Sequence, residues 1–481
     1  MPPSPSWRRR LLRVISALTL VLVLTATVWW SLQRPSLVRV HPAHADTFRI
    51  AGVAVVDVEA GTSSGPMDVE VRGDRITGIW PSGTAPKAPA TVLDGSGRWL
   101  VPGLIDMHCH VISDATPPWV ERLPDPQLSF ERLLYSGVTR VFDPGSAVPV
   151  IFDLRDELAS GVRLGPALHA AGPVFTAVGG HPIPMVKLLA PPIIHELAIG
   201  VLTRQVNSPS AATAHVQELA PYQPDFVKMV VDRLPLDAPL LSDDLAKAIV
   251  DAARSEGLRT VAHIGTANDA VAAAEAGATA WIHGVYKEPL SLTSVEELAG
   301  YGIPMIPTMV VFRAYGEMAR GEYPATSLEL EVMSAADLAS RADPSGRAKS
   351  TEDVLLYVEM LREQRQSALD NVARLHAAGV TILAGSDAQS GVITGPALHR
   401  ELVLLHRAGL TPAEVLRAAT LDSARFLANS ADPPYGTVAV GKRADLLLVR
   451  ANPLEDPAAL SEIDEVFAAG RRILRTPWPQ D

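Results

Sequence analysis

Six polar residues in this chain could together do chemistry at a bound metal ion. They are His108 and His110 in "DMHCHV", Lys228 in "DFVKMVV", His263 in "RTVAHIG", His283 in "AWIHG" and Asp387 in "ILAGSDA". Imidazole and carboxylate are the N and O ligands that zinc takes. Such a set points to a bound divalent metal ion. Singly, each residue is a weak signal. A lone histidine at a strand end is more often a hydrogen-bonded structural group, and a lone lysine in an apolar run usually reaches for water. Burying all six without a ligand would be costly. Side chains alternate along an extended chain, so His108 and His110 share a face while Cys109 points away.

These residues need elements that bring them to one place. Eight apolar strand candidates alternate with helix-like segments. They are Leu104–His110, Val138–Asp143, Ala167–Gly172, Phe226–Val231, Thr260–Ile264, Ala280–Gly284, Ile303–Val310 and Val380–Ser386. Eight such units predict a (β/α)8 TIM-like barrel over 103–432, whose site lies at the C-terminal strand ends. Residues 176–222 and 311–378 are long excursions, and the second could be a lid or an exterior decoration. On either side, 47–102 and 433–481 carry short Val- and Ile-rich runs broken by Gly, Pro and Asp. They predict one small β-sandwich domain built from both chain ends.

Composition narrows the function classes. The 481 residues are 47% hydrophobic, enough for a large core, and carry 42 basic against 53 acidic groups. A net charge of −11 disfavours a nucleic-acid partner. Cys109 is the single cysteine, which excludes an intrachain disulfide and a multi-thiolate metal site.

Residues 1–46 read as a membrane anchor or signal followed by a linker. Arg8, Arg9, Arg10 and Arg13 precede an uncharged run at 14–32, just long enough to cross a bilayer core. Arginines on that side predict export of the rest of the chain. The run is either an uncleaved anchor or a cleaved signal peptide, with "AHA" at 43–45 as a distant cleavage candidate. The stretch "WRRRLLR" also resembles a twin-arginine export signal.

"VPGLIDMHCH", "VKMVV", "VAHIGTANDAVAAAEAGATAWIHG" and "LAGSDA" together resemble the amidohydrolase superfamily. More narrowly, they are similar to its binuclear members bridged by a carboxylated lysine, the prolidase-like and imidazolonepropionase-related branch. The likeness covers about 47–475. It implies two divalent ions, zinc by preference. His108, His110 and Asp387 would hold the more buried ion, and His263 and His283 the more exposed one. Lys228, carbamylated by carbon dioxide, would bridge them, since a free ammonium has no lone pair to offer. Asp387 would also take a proton from the attacking water and pass it to the leaving nitrogen.

Details refine the class. Many deaminases of the superfamily keep one metal and a Glu three residues after the strand-5 His, but here Thr266 stands there. With Lys228 present, two-metal hydrolysis is favoured over deamination. "GGHP" at 179–182 resembles a loop that brings a histidine, here His181, toward substrate. "MVVDR" after Lys228 departs from the branch and weakens any transfer of dipeptide specificity. Arg233 could bind a substrate carboxylate, although a surface pair with Asp232 is the favoured reading. The expected reaction is hydrolysis of an amide-type C–N bond in a dipeptide, N-acyl amino acid or cyclic amide. The alternatives are an ester, lactone or carbamate at the same site, or a ligand-binding protein with a vestigial metal site. The partner is a small-molecule substrate, and a homo-oligomer stays open.

Overall fold

The structure, a computed structural model, describes residues 34–87, 91–113, 115–120, 122–343, 345 and 352–479. The arginines and apolar run at 8–32 lie outside the described residues. Among the described helices, none is long and apolar enough to cross a membrane.

Eighteen strands are described. In chain order they are β1 (Val38–Val40), β2 (Thr47–Asp57), β3 (Thr62–Arg72), β4 (Arg75–Pro81), β5 (Thr91–Asp94), β6 (Trp99–Pro102), β7 (Leu104–Asp106), β8 (Val138–Asp143) and β9 (Ala167–Ala170). They continue with β10 (Val174–Ala177), β11 (Thr203–Val206), β12 (Phe226–Val230), β13 (Arg259–His263), β14 (Ala280–Ile282), β15 (Met305–Ile306), β16 (Leu446–Val449), β17 (Ile463–Ala468) and β18 (Arg471–Arg475).

Both chain ends contribute to one sheet, ordered β1-β18-β17-β16-β6-β2-β3-β4 with β5 beside β2. Period-2 burial explains the strands: in β4, Ile76 is buried between exposed Arg75 and Thr77. The expected sandwich is thus a single hydrogen-bonded sheet of nine strands. It is strongly curled. Phe48 of β2 and Phe467 of β17 lie three strands apart in the order, about 14 Å in a flat sheet. Their rings nevertheless stack with centroids 5.1 Å apart. The later part of 1–46, expected as linker, contains β1, whose Val38 pairs with Arg475.

The middle of the chain is mixed α/β with two parallel sheets, β7-β8-β9 and β11-β10-β12-β13-β14-β15. Short bonds link their margins. Asp225 N–H donates to Ala170 O at 2.9 Å, Met305 N–H to Thr381 O at 2.9 Å, and Met107 N–H to Ala384 O at 2.9 Å. One apolar cluster draws on Ile105, Phe142, Ala171, Phe226, Val261, Ile282, Ile306 and Leu383, one residue from each of the eight expected units. Helices cover the outside. The helix Asp243–Ser255 is capped by Ser242 and buries Ala246, Ile249, Val250 and Ala253, a 3.6-period stripe.

Three expected strands are clearly shorter than their text suggested. Leu104–His110 is a strand only at Leu104–Asp106, so His108 and His110 lie just past its end. Ile303–Val310 is a strand only at Met305–Ile306, and a helix starts at Met309. Pro307 has no N–H for the ladder, and Thr308 turns the chain with φ at 52°. Val380–Ser386 forms no named strand and pairs through one bridge, Met305 with Ile382, while Cys109 bridges to Ala388 just beyond it. Of the two excursions, the first contains β10 and β11, and the second is helical at Ser327–Val332, Ala335–Ala342 and Glu352–Ala377.

Candidate metal centre

Strand alternation builds part of the site. In β12, Val227 and Met229 pack outward against the helices while Phe226 joins the inner cluster. Lys228 has the parity of Phe226, so it enters the interior. In β13, Ala262 packs outward, which turns His263 inward. His283 lies one residue past β14 and shares the parity of outward Trp281, so alternation does not place it; the backbone leaves the strand there with φ at 66°. Cys109 is buried in the outer cluster, away from His108 and His110.

His108, His110 and Asp387 converge. Nε2 of His108 lies 3.2 Å from Oδ1 of Asp387, Nε2 of His110 lies 3.3 Å from the same oxygen, and the two Nε2 atoms are 3.3 Å apart. Nδ1 of His110 donates to Gly145 O at 2.9 Å, which leaves Nε2 as a lone-pair atom. Acceptors therefore face one another at close range, and Asp387 Oδ1 is a buried oxygen without a hydrogen bond. Ligands about 2.0–2.1 Å from a tetrahedral zinc stand about 3.3 Å from each other. The triangle has that size, so these donors fit a divalent ion. His283 joins His108 and Asp387 in a group whose ligand atoms all lie within 4.8 Å.

The backbone brings the donors together. Asp387 N–H donates to His108 O at 2.6 Å, and Ser386 Oγ donates to Asp106 at 2.6 Å. Gly385 permits this approach, since a β-carbon there would lie 3.0 Å from His108 N and 2.5 Å from Ile306. Asp387, His283 and Thr308 all have positive φ, at 48°, 66° and 52°. For such residues that conformation is strained, and strain of this kind gathers at functional sites.

The remaining residues line up beyond this triangle. The rings of His283 and His263 are 4.2 Å apart, and those of His263 and His181 are 4.9 Å apart. His181 thus lies beside an expected ligand, with Nδ1 3.3 Å from Leu234 O. Burial pushes Lys228 down to about 7, against the pull of Asp387. Burial likewise drives His108 and His181 down to about 3. His110 moves up, its burial being outweighed by the nearby negative charge of Asp387. Asp387 is held well below the usual carboxylate range, its burial being outweighed by His108 and His110.

Several partners were missing from the sequence reading. Asp232 does not pair with Arg233 at the surface. It is 1% exposed and accepts from Nε2 of His263 at 3.1 Å and from the Tyr286 hydroxyl at 2.7 Å. Arg233 instead donates to Ala238 O at 3.0 Å. Thr308 meets Nδ1 of His283 at 2.6 Å, and Gln389 donates to Oδ2 of Asp387 at 3.1 Å. Only the close run of Asp232 behind Lys228 offered a signal, and surface pairing hid it. His169 is held between Asp225 and Arg140. His399 is buried on Ser136 O at 2.8 Å.

Known proteins resemble this chain along most of its length. The family model described as "Amidohydrolase family" matches residues 99–473. An uncharacterized protein of Mycobacterium tuberculosis is 28% identical over 395 residues, covering 81% of this chain and 88% of its own. Imidazolonepropionase of Rhizobium meliloti is 26% identical over 463 residues, covering 90% of this chain and 98% of its own. The crystal structure of a Xaa-Pro dipeptidase with methionine bound in its active site superposes with a TM-score of 0.71 at 21% identity. It covers 89% of this chain and 99% of that one, a likeness of fold. With the family model spanning more than three quarters of its length, the chain belongs to the amidohydrolase family.

Proposed function

We propose that the protein is a metal-dependent hydrolase that cleaves an amide-type C–N bond in a small substrate such as a dipeptide, N-acyl amino acid or cyclic amide. The observation that carries this reading is the triangle of His108 Nε2, His110 Nε2 and Asp387 Oδ1, with edges of 3.2–3.3 Å. In this reading the two parallel sheets and the 381–388 segment close into a (β/α)8 barrel, with the site at its C-terminal end. The hydrogen bonds across the sheet margins and the shared inner cluster support that closure.

His108, His110 and Asp387 would hold one ion and His263 and His283 a second, with Lys228 between them as a carbamate. When bound, such ions, zinc by preference, acidify water and polarise a carbonyl. The chain's residues do the rest. Asp387, already charged, accepts the proton of the attacking water and returns it to the leaving nitrogen. Gln389 donates to that carboxylate and fixes its direction. His181 offers a neutral imidazole to the substrate at the His263 side. Esters, lactones or carbamates are the second reading, because the same water attacks any polarised carbonyl. The arginines and apolar run at 8–32 further suggest an exported enzyme, anchored or released.

The test is metal analysis of the purified protein joined to turnover of N-acyl amino acids, dipeptides, cyclic amides and esters. About two divalent ions per chain with amide turnover is the expected result. Turnover of esters alone would sink the amide assignment.

A further inference from the structure

We propose that Asp232 is a positioning residue that sets the tautomer of His263 and thereby builds the second of the two ion sites. The inference rests on the metal-centre reading above. A carboxylate can only accept, so Nε2 of His263, 3.1 Å from Asp232 Oδ2, must be the protonated nitrogen. The lone pair then resides on Nδ1, and that nitrogen becomes the ligand.

The carboxylate is itself locked. The Tyr286 hydroxyl donates to Oδ2 at 2.7 Å. Lys287 donates from Nζ to Oδ1 and reaches Arg233 O at 2.5 Å. Gly265 supplies the space: a β-carbon at that position would come within 2.5 Å of the carboxylate. Lys287 also balances the buried charge of Asp232, so the second site gains no net charge from this support. Three chain segments, those following β12, β13 and β14, converge on this one carboxylate. A surface ion pair would need no such convergence. Carboxylates that orient a ligating histidine typically tune metal affinity by about 10–100-fold.

The test uses the full chain stripped of metal and titrated with zinc(II), then with cobalt(II) so that its d–d absorption reports each site. In Asp232→Ala, one of the two ions should bind about 10–100-fold more weakly while the other keeps wild-type affinity. Asp232→Asn, whose amide oxygen still accepts from Nε2–H, should recover most of the loss. The double variant Asp232→Ala/His263→Ala should bind no worse than His263→Ala alone. Equal weakening of both sites, wild-type affinity at both, or additive losses would overturn the proposal. Where Asp232→Ala does not fold, Tyr286→Phe decides: weakening confined to one site upholds the proposal, and any other pattern rejects it. A wild-type chain that binds no ion rejects the metal reading itself, which separates that failure from this one.

Discussion

Nε2 of His108 and Oδ1 of Asp387 lie 3.2 Å apart, and the far nitrogen of that histidine, Nδ1, is buried without a hydrogen bond. Burial works against protonating this imidazole, so the pair is not a simple salt bridge. An ion between them would relieve the facing acceptors. The stripped protein should therefore melt at a lower temperature than the loaded one. Ligand at a thousandfold excess over its Kd adds about 4 kcal/mol. Calorimetry with and without a chelator checks this. His108→Ala should abolish the metal-induced increment. An increment that persists in that variant would place the ion elsewhere.

Lys228 is buried, and its charge acts on His108, His110, His263 and His283, so a charged ammonium there would repel dications. Lys228→Ala should lose one ion per chain and nearly all activity. Acetate or propionate should restore part of the activity by supplying the missing anionic oxygen, whereas Lys228→Arg should not respond. Metal stoichiometry and rate in the presence of carboxylates are the measurements. Full metal content in Lys228→Ala would reject the bridging role.

Acid should unfold the helical excursion early. Glu329 is fully buried and accepts from Arg400 at 2.7 Å, from Thr326 N–H at 2.7 Å and from the Tyr323 hydroxyl at 2.7 Å. Its burial favours the neutral form, but these bonds outweigh it and hold the carboxyl below its ordinary 4.5. A depressed folded value stabilises the fold above about pH 4.5, and that stabilisation is lost as pH falls through the folded value. Glu329→Gln should cost about 1–3 kcal/mol at neutral pH, because Arg400 then keeps only the longer pair with Glu317, at 3.6 Å, as a charged partner. The variant should also lose acid sensitivity below pH 4.5. Denaturant melts at pH 4 and 7 report both effects, and parallel losses at the two pH values would contradict this account.

Part of the candidate site was legible because an extended chain has period 2. "HCH" declares a shared face without any structure, and "FVKMV" places Lys228 on the face of Phe226. What the sequence hid was tertiary. Asp232 sits four residues after Lys228 and beside Arg233, so local reasoning paired the neighbours. In the fold, Asp232 answers to His263, Tyr286 and Lys287, which come from two later segments. Thr308 was hidden for a different reason. "IPTMV" reads as strand by propensity, while Pro307 and a left-handed Thr308 end the strand and start a helix. The last expected segment was legible as apolar text, yet Ile382 and, beyond it, Ala388 pair by isolated bridges rather than as a ladder. The pairing of β1 with β18 joins opposite ends of the chain and has no local signature.

His181 should act on substrate and leave the ions alone. Its ring is 4.9 Å from that of His263, and its Nδ1 is 3.3 Å from Leu234 O, so Nε2 is the nitrogen left for a ligand. Burial holds it at about 3, with His263 pushing the same way, so it is neutral at working pH. A neutral imidazole can donate or accept one hydrogen bond but cannot supply a proton near pH 7. His181→Ala should therefore keep wild-type metal content and lose about 10–100-fold in kcat/KM. That is the size of one substrate hydrogen bond of about 1–3 kcal/mol, at about 1.4 kcal/mol per tenfold. Between pH 5 and 8 the profile of kcat/KM should keep its shape while its height falls. A vanished acidic or basic limb would instead mark His181 as a proton donor or acceptor, which a group held neutral by burial is poorly suited to be.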